Sequence, residues 1–108
     1  MSAADENWQL VGPADALEVE DVMPFTCNGR EYAIYHTADG YFASDGLCTH
    51  EDEPLADGIV IDRVIECPLH QGRFDISTGK ALSAPVCIDL QTYPVKVQDG
   101  KIYIRLHD

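Results

Sequence analysis

The chain has 108 residues, 45% of them apolar, which is enough for one small core and sets a single domain, residues 1–108, as the expectation. Nineteen acids against seven bases leave a net charge of −12, which excludes nucleic acid as a partner and suits docking onto basic protein surfaces. No apolar run is long enough to span a bilayer, and Met1-Ser-Ala-Ala-Asp-Glu6 lacks the basic start and apolar stretch of a secretion signal, so no membrane contact and a cytoplasmic location are expected.

In chain order, Trp8–Val11 alternates weakly and ends at Gly12-Pro13, which reads as a short first strand. Ala14–Glu20 is either loop or a single helical turn opened by Asp15-Ala-Leu-Glu18. From Val22 the pattern is β. Phe25–Cys27 and Glu31–His36 flank Asn28-Gly29, a two-residue hairpin signal because both positions tolerate positive φ. Asp39-Gly40 predicts a second hairpin, joining Tyr32–Thr37 to Tyr41–Ser44, and Asp99-Gly100 a third, joining Tyr93–Gln98 to Lys101–Leu106. In the third, Val95, Val97, Ile102, Ile104 and Leu106 alternate with polar neighbours, the period of a half-buried sheet. Between the second and third hairpins Asp45-Gly46 turns into an insert. Gly58–Ile61 and Val64–Glu66 are short strands around Asp62-Arg63, and Phe74–Ile76 begins another that Ser77–Lys80 turns. Helix content should be minimal and the fold class all-β and antiparallel.

The insert carries the chemistry. Cys48-x-His50 and Cys67-x-x-His70 put one soft and one imidazole ligand on each of two loops. Two thiolates and two imidazoles suit zinc, or a two-iron cluster with both Cys on one iron and both His on the other. A zinc finger pairs like ligands at close range. The mixed pairing here suits a cluster whose two ends need different ligands.

At these residues, and in Cys67-Pro-Leu-His-Gln-Gly-Arg-Phe-Asp75 followed by Thr78-Gly79, the chain resembles the Rieske [2Fe–2S] proteins, and most of all the small ferredoxins that feed bacterial aromatic-ring dioxygenases. The resemblance implies an antiparallel Rieske-type β-sandwich with a small cluster-binding subdomain, about residues 45–76, formed by two loops. It implies one [2Fe–2S] cluster per chain, bound by Cys48, His50, Cys67 and His70, with the His iron near the surface. It also implies a soluble one-electron carrier, not itself an enzyme, expected as a monomer. That carrier docks transiently on an NAD(P)H-dependent ferredoxin reductase and on a terminal Rieske non-haem iron oxygenase in aromatic compound degradation. The alternatives are a small Rieske subunit of a nitrite-reductase-like enzyme and a zinc-binding structural module. At 108 residues, an oxygenase subunit with its mononuclear iron domain is not expected.

Departures from the respiratory Rieske pattern set a second expectation. No Cys follows His50, and Leu69 stands between Pro68 and His70, so the disulfide that clamps the respiratory loops has no counterpart. Gly72 and Phe74 occupy the positions of a Ser and a Tyr that donate hydrogen bonds at the cluster. Losing donors disfavours the more negative, reduced state. The midpoint is expected at the low end of the Rieske range, on the order of −150 mV. Gly72 is expected to let the backbone pass close to the cluster, and Leu55 and Leu69 to shield it. Glu51, Asp52 and Glu53 read equally as solvated loop or docking patch. Cys27 and Cys87 read as small buried strand residues, and His36 and His107 as ordinary histidines.

Overall fold

The computed structural model describes residues 8–49, 53–68, 72–82 and 88–106. Its strands are β1 (Trp8–Pro13), β2 (Asp21–Cys27), β3 (Arg30–Thr37), β4 (Gly40–Asp45), β5 (Ile59–Ile61), β6 (Val64–Glu66), β7 (Arg73–Asp75), β8 (Thr92–Tyr93), β9 (Val95–Gln98) and β10 (Lys101–Arg105). Single turns of 3-10 helix at Ala14–Ala16 and Leu55–Asp57 are the helical content of the described residues. Every strand pair is antiparallel, and the strands form three sheets ordered β1-β10-β9, β2-β3-β4-β8 and β5-β6-β7. The all-β antiparallel fold expected from the sequence is the one observed.

The β2-β3-β4-β8 sheet is the middle layer. Successive side chains of a strand point to opposite faces, and β3 uses both. Tyr32 and Ile34 pack with Ala43, Ile102 and Ile104 in the core shared with the β1-β10-β9 sheet. Ala33 and Tyr35 pack with Val60, Ile65 and Phe74 in the core shared with the β5-β6-β7 sheet. All four are therefore buried in an unbroken run, where a half-exposed strand would alternate. The closing sheet covers one face of the middle sheet, and the insert sits against the other.

The hairpin signals were accurate where both turn residues take positive φ. Asn28 (53°) and Gly29 (81°) join β2 to β3, and Asp99 (55°) and Gly100 (76°) join β9 to β10. The second hairpin is one residue off the expectation. Thr37 pairs with Gly40, so Ala38 and Asp39 are the turn residues. The Thr37 hydroxyl accepts the Asp39 N–H at 3.0 Å and donates to the Gly40 carbonyl at 3.4 Å, which closes the tighter turn.

Two other boundaries also differ. Gly12-Pro13 does not stop β1. The strand absorbs an extra residue as a bulge between Leu10 and Gly12 and pairs on through Pro13 with Lys101. The run Tyr93–Gln98 is not one strand, because Pro94 lacks an N–H for a ladder. Tyr93 pairs with Ala43 of the middle sheet, whereas Val95 pairs with Ile104 of the closing sheet. Pro94 thus marks where the chain changes sheets.

The ambiguous Ala14–Glu20 segment resolves as one 3-10 turn followed by Leu17, which is buried. His36 secures it. Its Nδ1–H donates to the Leu17 carbonyl at 2.8 Å, and its ring stacks on Tyr41 with centroids 3.9 Å apart. Its role is thus structural, as the sequence suggested. Cys27 packs half-buried against the core shared with the closing sheet. Cys87 and His107 lie outside the described residues.

Candidate metal centre

Two loops leave this scaffold with the same closure. In the first, β4 ends at Asp45 and Gly46 begins the loop. The Gly46 N–H donates to the Glu31 carbonyl at 2.8 Å, and a Cβ on Gly46 would stand 2.8 Å from the Glu31 and Tyr32 backbone, so only glycine lets the loop start this close to β3. Leu47 then bridges to Pro54, and the Cys48 N–H donates to the Glu53 carbonyl at 2.8 Å. In the second, β6 ends at Glu66 and β7 starts at Arg73, and the Cys67 N–H donates to the Gly72 carbonyl at 2.7 Å. Each Cys therefore closes its own loop with a backbone bond to the residue five positions on. Each loop encloses a sequence-predicted histidine, His50 in one and His70 in the other.

The closures bring the two cysteines into one place. Cys48 and Cys67 are 0% and 1% exposed and belong to the same buried group as Leu55, Ile65 and Phe74. Both thiols are thus buried on the face of β3 that presents Tyr35. Such placement fits a metal group that takes two thiolate ligands from two loops. His50 and His70 lie outside the described residues, as do Glu51, Asp52 and Leu69.

Surrounding contacts fix the loop bases. Arg73 Nε meets Glu66 Oε1 at 3.3 Å across the base of the second loop. Leu55 is fully buried among the cysteine group, and its N–H donates to the Gly46 carbonyl at 2.8 Å. Glu53 contributes the carbonyl that closes the first loop. Pro68 is exposed, and Gly72, which is buried, acts through its carbonyl.

Beneath the first loop, the Tyr35 phenol shares a 2.8 Å hydrogen bond with Ser44 Oγ, and Ser44 Oγ donates to the Asp45 carbonyl at 2.8 Å. Burial pushes the Tyr35 phenol well above its ordinary value, although the Ser44 bond opposes that shift, so it stays neutral. Asp45 Oδ1 takes the Tyr93 hydroxyl at 2.6 Å and Arg30 at 3.2 Å. Desolvation, and then the Asp45 carboxylate, push the Tyr93 phenol up as well.

One contact was not foreseen. Thr49, between the two predicted ligands of the first loop, donates its hydroxyl to the Ile88 carbonyl at 2.8 Å. A third segment, 39 positions away in sequence, thus steadies the ligand loop. No local pattern could have announced it.

The family model for the Rieske [2Fe–2S] domain matches residues 7–94. The chain belongs to the Rieske [2Fe–2S] family. It is 47% identical over 98 residues to the ferredoxin component of the naphthalene 1,2-dioxygenase system of Pseudomonas putida, covering 91% of this chain and 93% of that one. Its fold matches the Sphingomonas yanoikuyae B1 ferredoxin with a TM-score of 0.87 at 32% identity, over 94% of this chain and all of that one. It also matches a chain in the complex of reduced oxygenase and oxidized ferredoxin of carbazole 1,9a-dioxygenase, with a TM-score of 0.87 at 30% identity over 92% of this chain and 93% of that one. As a Rieske ferredoxin the chain carries one [2Fe–2S] cluster and serves electron transfer, not substrate conversion.

Proposed function

We propose that Cys48 and Cys67 hold one iron of the cluster and His50 and His70 the other, and that residues 1–108 form a single domain whose part at about residues 45–76 is the cluster-binding subdomain. The observation that carries this ligand set is the pair of like closures, Cys48 N–H to Glu53 and Cys67 N–H to Gly72, with both thiols buried in one group. When bound, a cluster with two imidazole ligands accepts and returns one electron at a potential above that of an all-cysteine cluster. The chain's own residues hold it rigid. The loop closures, the Thr49–Ile88 bond and the Glu66–Arg73 pair fix the backbone at Cys48 and Cys67. Buried Leu55, Phe74 and Tyr35 keep water from the thiolate side. A rigid, dry site keeps geometry and solvation alike in both oxidation states, so little rearrangement opposes the transfer.

The relatives, ferredoxin components of dioxygenase systems, support the following choice of partners. The chain is a monomeric cytoplasmic carrier that takes electrons from an NAD(P)H-dependent reductase and gives them to a terminal Rieske non-haem iron oxygenase that acts on an aromatic compound. Its net charge of −12 supports transient docking on basic partner surfaces. The test is reconstitution with the reductase and oxygenase of a naphthalene dioxygenase system. With NADH, the reductase should bleach the oxidised chain, and the oxygenase with substrate should restore its colour. Turnover of NADH and an aromatic compound by this chain alone would contradict the reading, as would permanent co-purification as an enzyme subunit.

A further inference from the structure

Charge is distributed unevenly over the three layers. Residues 45–76 carry eight of the nineteen acids, Asp45, Glu51, Asp52, Glu53, Asp57, Asp62, Glu66 and Asp75, against two arginines. Strand for strand, β1, β9 and β10 carry Lys96, Lys101 and Arg105 and no acid, against Glu66, Asp75 and Arg73 in β5, β6 and β7, and Asp99 stands in the turn between β9 and β10.

The pairing register places these cations on the outer face of their sheet. Ile102 and Ile104 are fully buried against the middle layer, so Lys101, Tyr103 and Arg105, which alternate with them, face outward. Trp8 pairs with Arg105, Leu10 with Tyr103, and Tyr103 with Lys96, so these side chains share that face. Lys96 Nζ lies 4.6 Å from the Trp8 ring centroid and 5.6 Å from that of Tyr103, and the Arg105 guanidinium lies 6.0 Å from Trp8. Leu10, 53% exposed, continues the apolar centre. Rings and one aliphatic side chain ringed by cations have the composition of a protein-docking surface, where Trp, Tyr and Arg are the usual anchors.

We propose that this face is a second interaction surface and that its occupant is a carboxylate-rich segment of a partner protein. Charge complementarity selects that occupant. Stacked sheets lie about 10 Å apart, and at physiological ionic strength the Debye length is about 8 Å. The acids of the far layer are therefore largely screened from a ligand on this face, whose strands bear three cations and no acid, with Asp99 at the β9–β10 turn, although the chain as a whole is anionic. The middle sheet separates the face from Cys48 and Cys67, so a partner seated there leaves the ligand loops free to exchange electrons with another.

Trp8 is the one tryptophan of the chain and reports on the face directly. The cluster-loaded protein is titrated with an octaglutamate peptide, with octalysine as the opposite-charge control, and Trp8 emission is followed. The expected result is a saturable change with octaglutamate alone, weakened as salt rises from low to physiological. Affinity should fall about tenfold in the Lys96→Glu/Arg105→Glu variant. It should fall less in the milder Lys96→Gln/Arg105→Gln, which guards against misfolding. A control with the same change in net charge elsewhere, Arg63→Glu/Lys80→Glu, should keep most of the affinity. The proposal is overturned if octaglutamate gives no saturable change or if the Lys96/Arg105 variants respond like the parent. It is equally overturned if the control loses as much as Lys96→Glu/Arg105→Glu, or if sedimentation shows the face occupied by a second copy of the chain.

Discussion

The sandwich and the ligand sheet are both antiparallel, yet they are held together by different means. β2, β3 and β4 run for six to eight residues and share with β10 a core of Tyr32, Ile34, Ile102 and Ile104. β5, β6 and β7 have three residues each, and the core they share with β3 includes the two cysteines themselves. Three short strands are marginal without further support, whereas the sandwich has a core of its own. This contrast leads to the expectation that the sandwich keeps its fold without the cluster and that the β5-β6-β7 sheet does not.

Removing the cluster should separate the two regions most strongly. Cys67→Ala or Cys48→Ala should abolish visible absorbance and labile sulfide. Amide exchange in β5–β7 should then quicken by about a hundredfold, a loss of about 2.7 kcal/mol, while β3 and β10 stay protected. Equal loss of protection in both regions would mean one undivided cooperative unit. Next in size is Phe74→Ala, which opens a cavity between the ligand sheet and β3. It should cost about 3–5 kcal/mol in denaturant unfolding of the loaded protein, with release of the cluster before the sandwich melts. Release that coincides with the sandwich transition would argue against separate support.

The junction between the regions gives smaller effects. Gly46→Ala forces a Cβ against the β3 backbone and should cost about 1–3 kcal/mol, read as a lower unfolding midpoint and faster loss of the cluster to a chelator. Tyr35→Phe removes the buried bond to Ser44 and should cost about 1 kcal/mol, with the visible spectrum unchanged.

Smallest is the Asp75 turn beyond the ligand sheet. The Ser77 hydroxyl, and then the Thr78 and Ser77 N–H groups, hold the Asp75 carboxyl below its ordinary value against opposing desolvation. A carboxyl with a lowered folded pKa contributes stability above its unfolded value, near 4, and that contribution is lost as pH falls through the lower folded value. Asp75→Asn should remove this acid-side dependence and cost less than about 1 kcal/mol, since the turn is solvated. Urea midpoints at pH 7 and pH 3 check it: the difference between variant and parent should shrink at the lower pH.

What the sequence disclosed depended on how local the cause was. Asn28-Gly29 and Asp99-Gly100 were legible because a two-residue turn with positive φ is written in those residues. Asp39-Gly40 misled by one position because Thr37's hydroxyl competes for the turn. The burial of β3 on both faces was hidden, because it depends on two sheets supplied by distant parts of the chain. At the site, the residue types and spacing of Cys48, His50, Cys67 and His70 could be read directly. The Thr49–Ile88 bond and the matched loop closures could not, since they come from tertiary placement.

We propose that these two buried cysteines belong to a mixed-ligand two-iron centre of low potential. The most direct measurement is an EPR spectrum of the anaerobically reduced protein, with a redox titration of the same sample. A rhombic signal of low average g and a midpoint on the order of −150 mV are expected. A midpoint above zero would keep the cluster and contradict the reading of Gly72 and Phe74, and a silent, zinc-containing protein would contradict the electron-transfer account altogether.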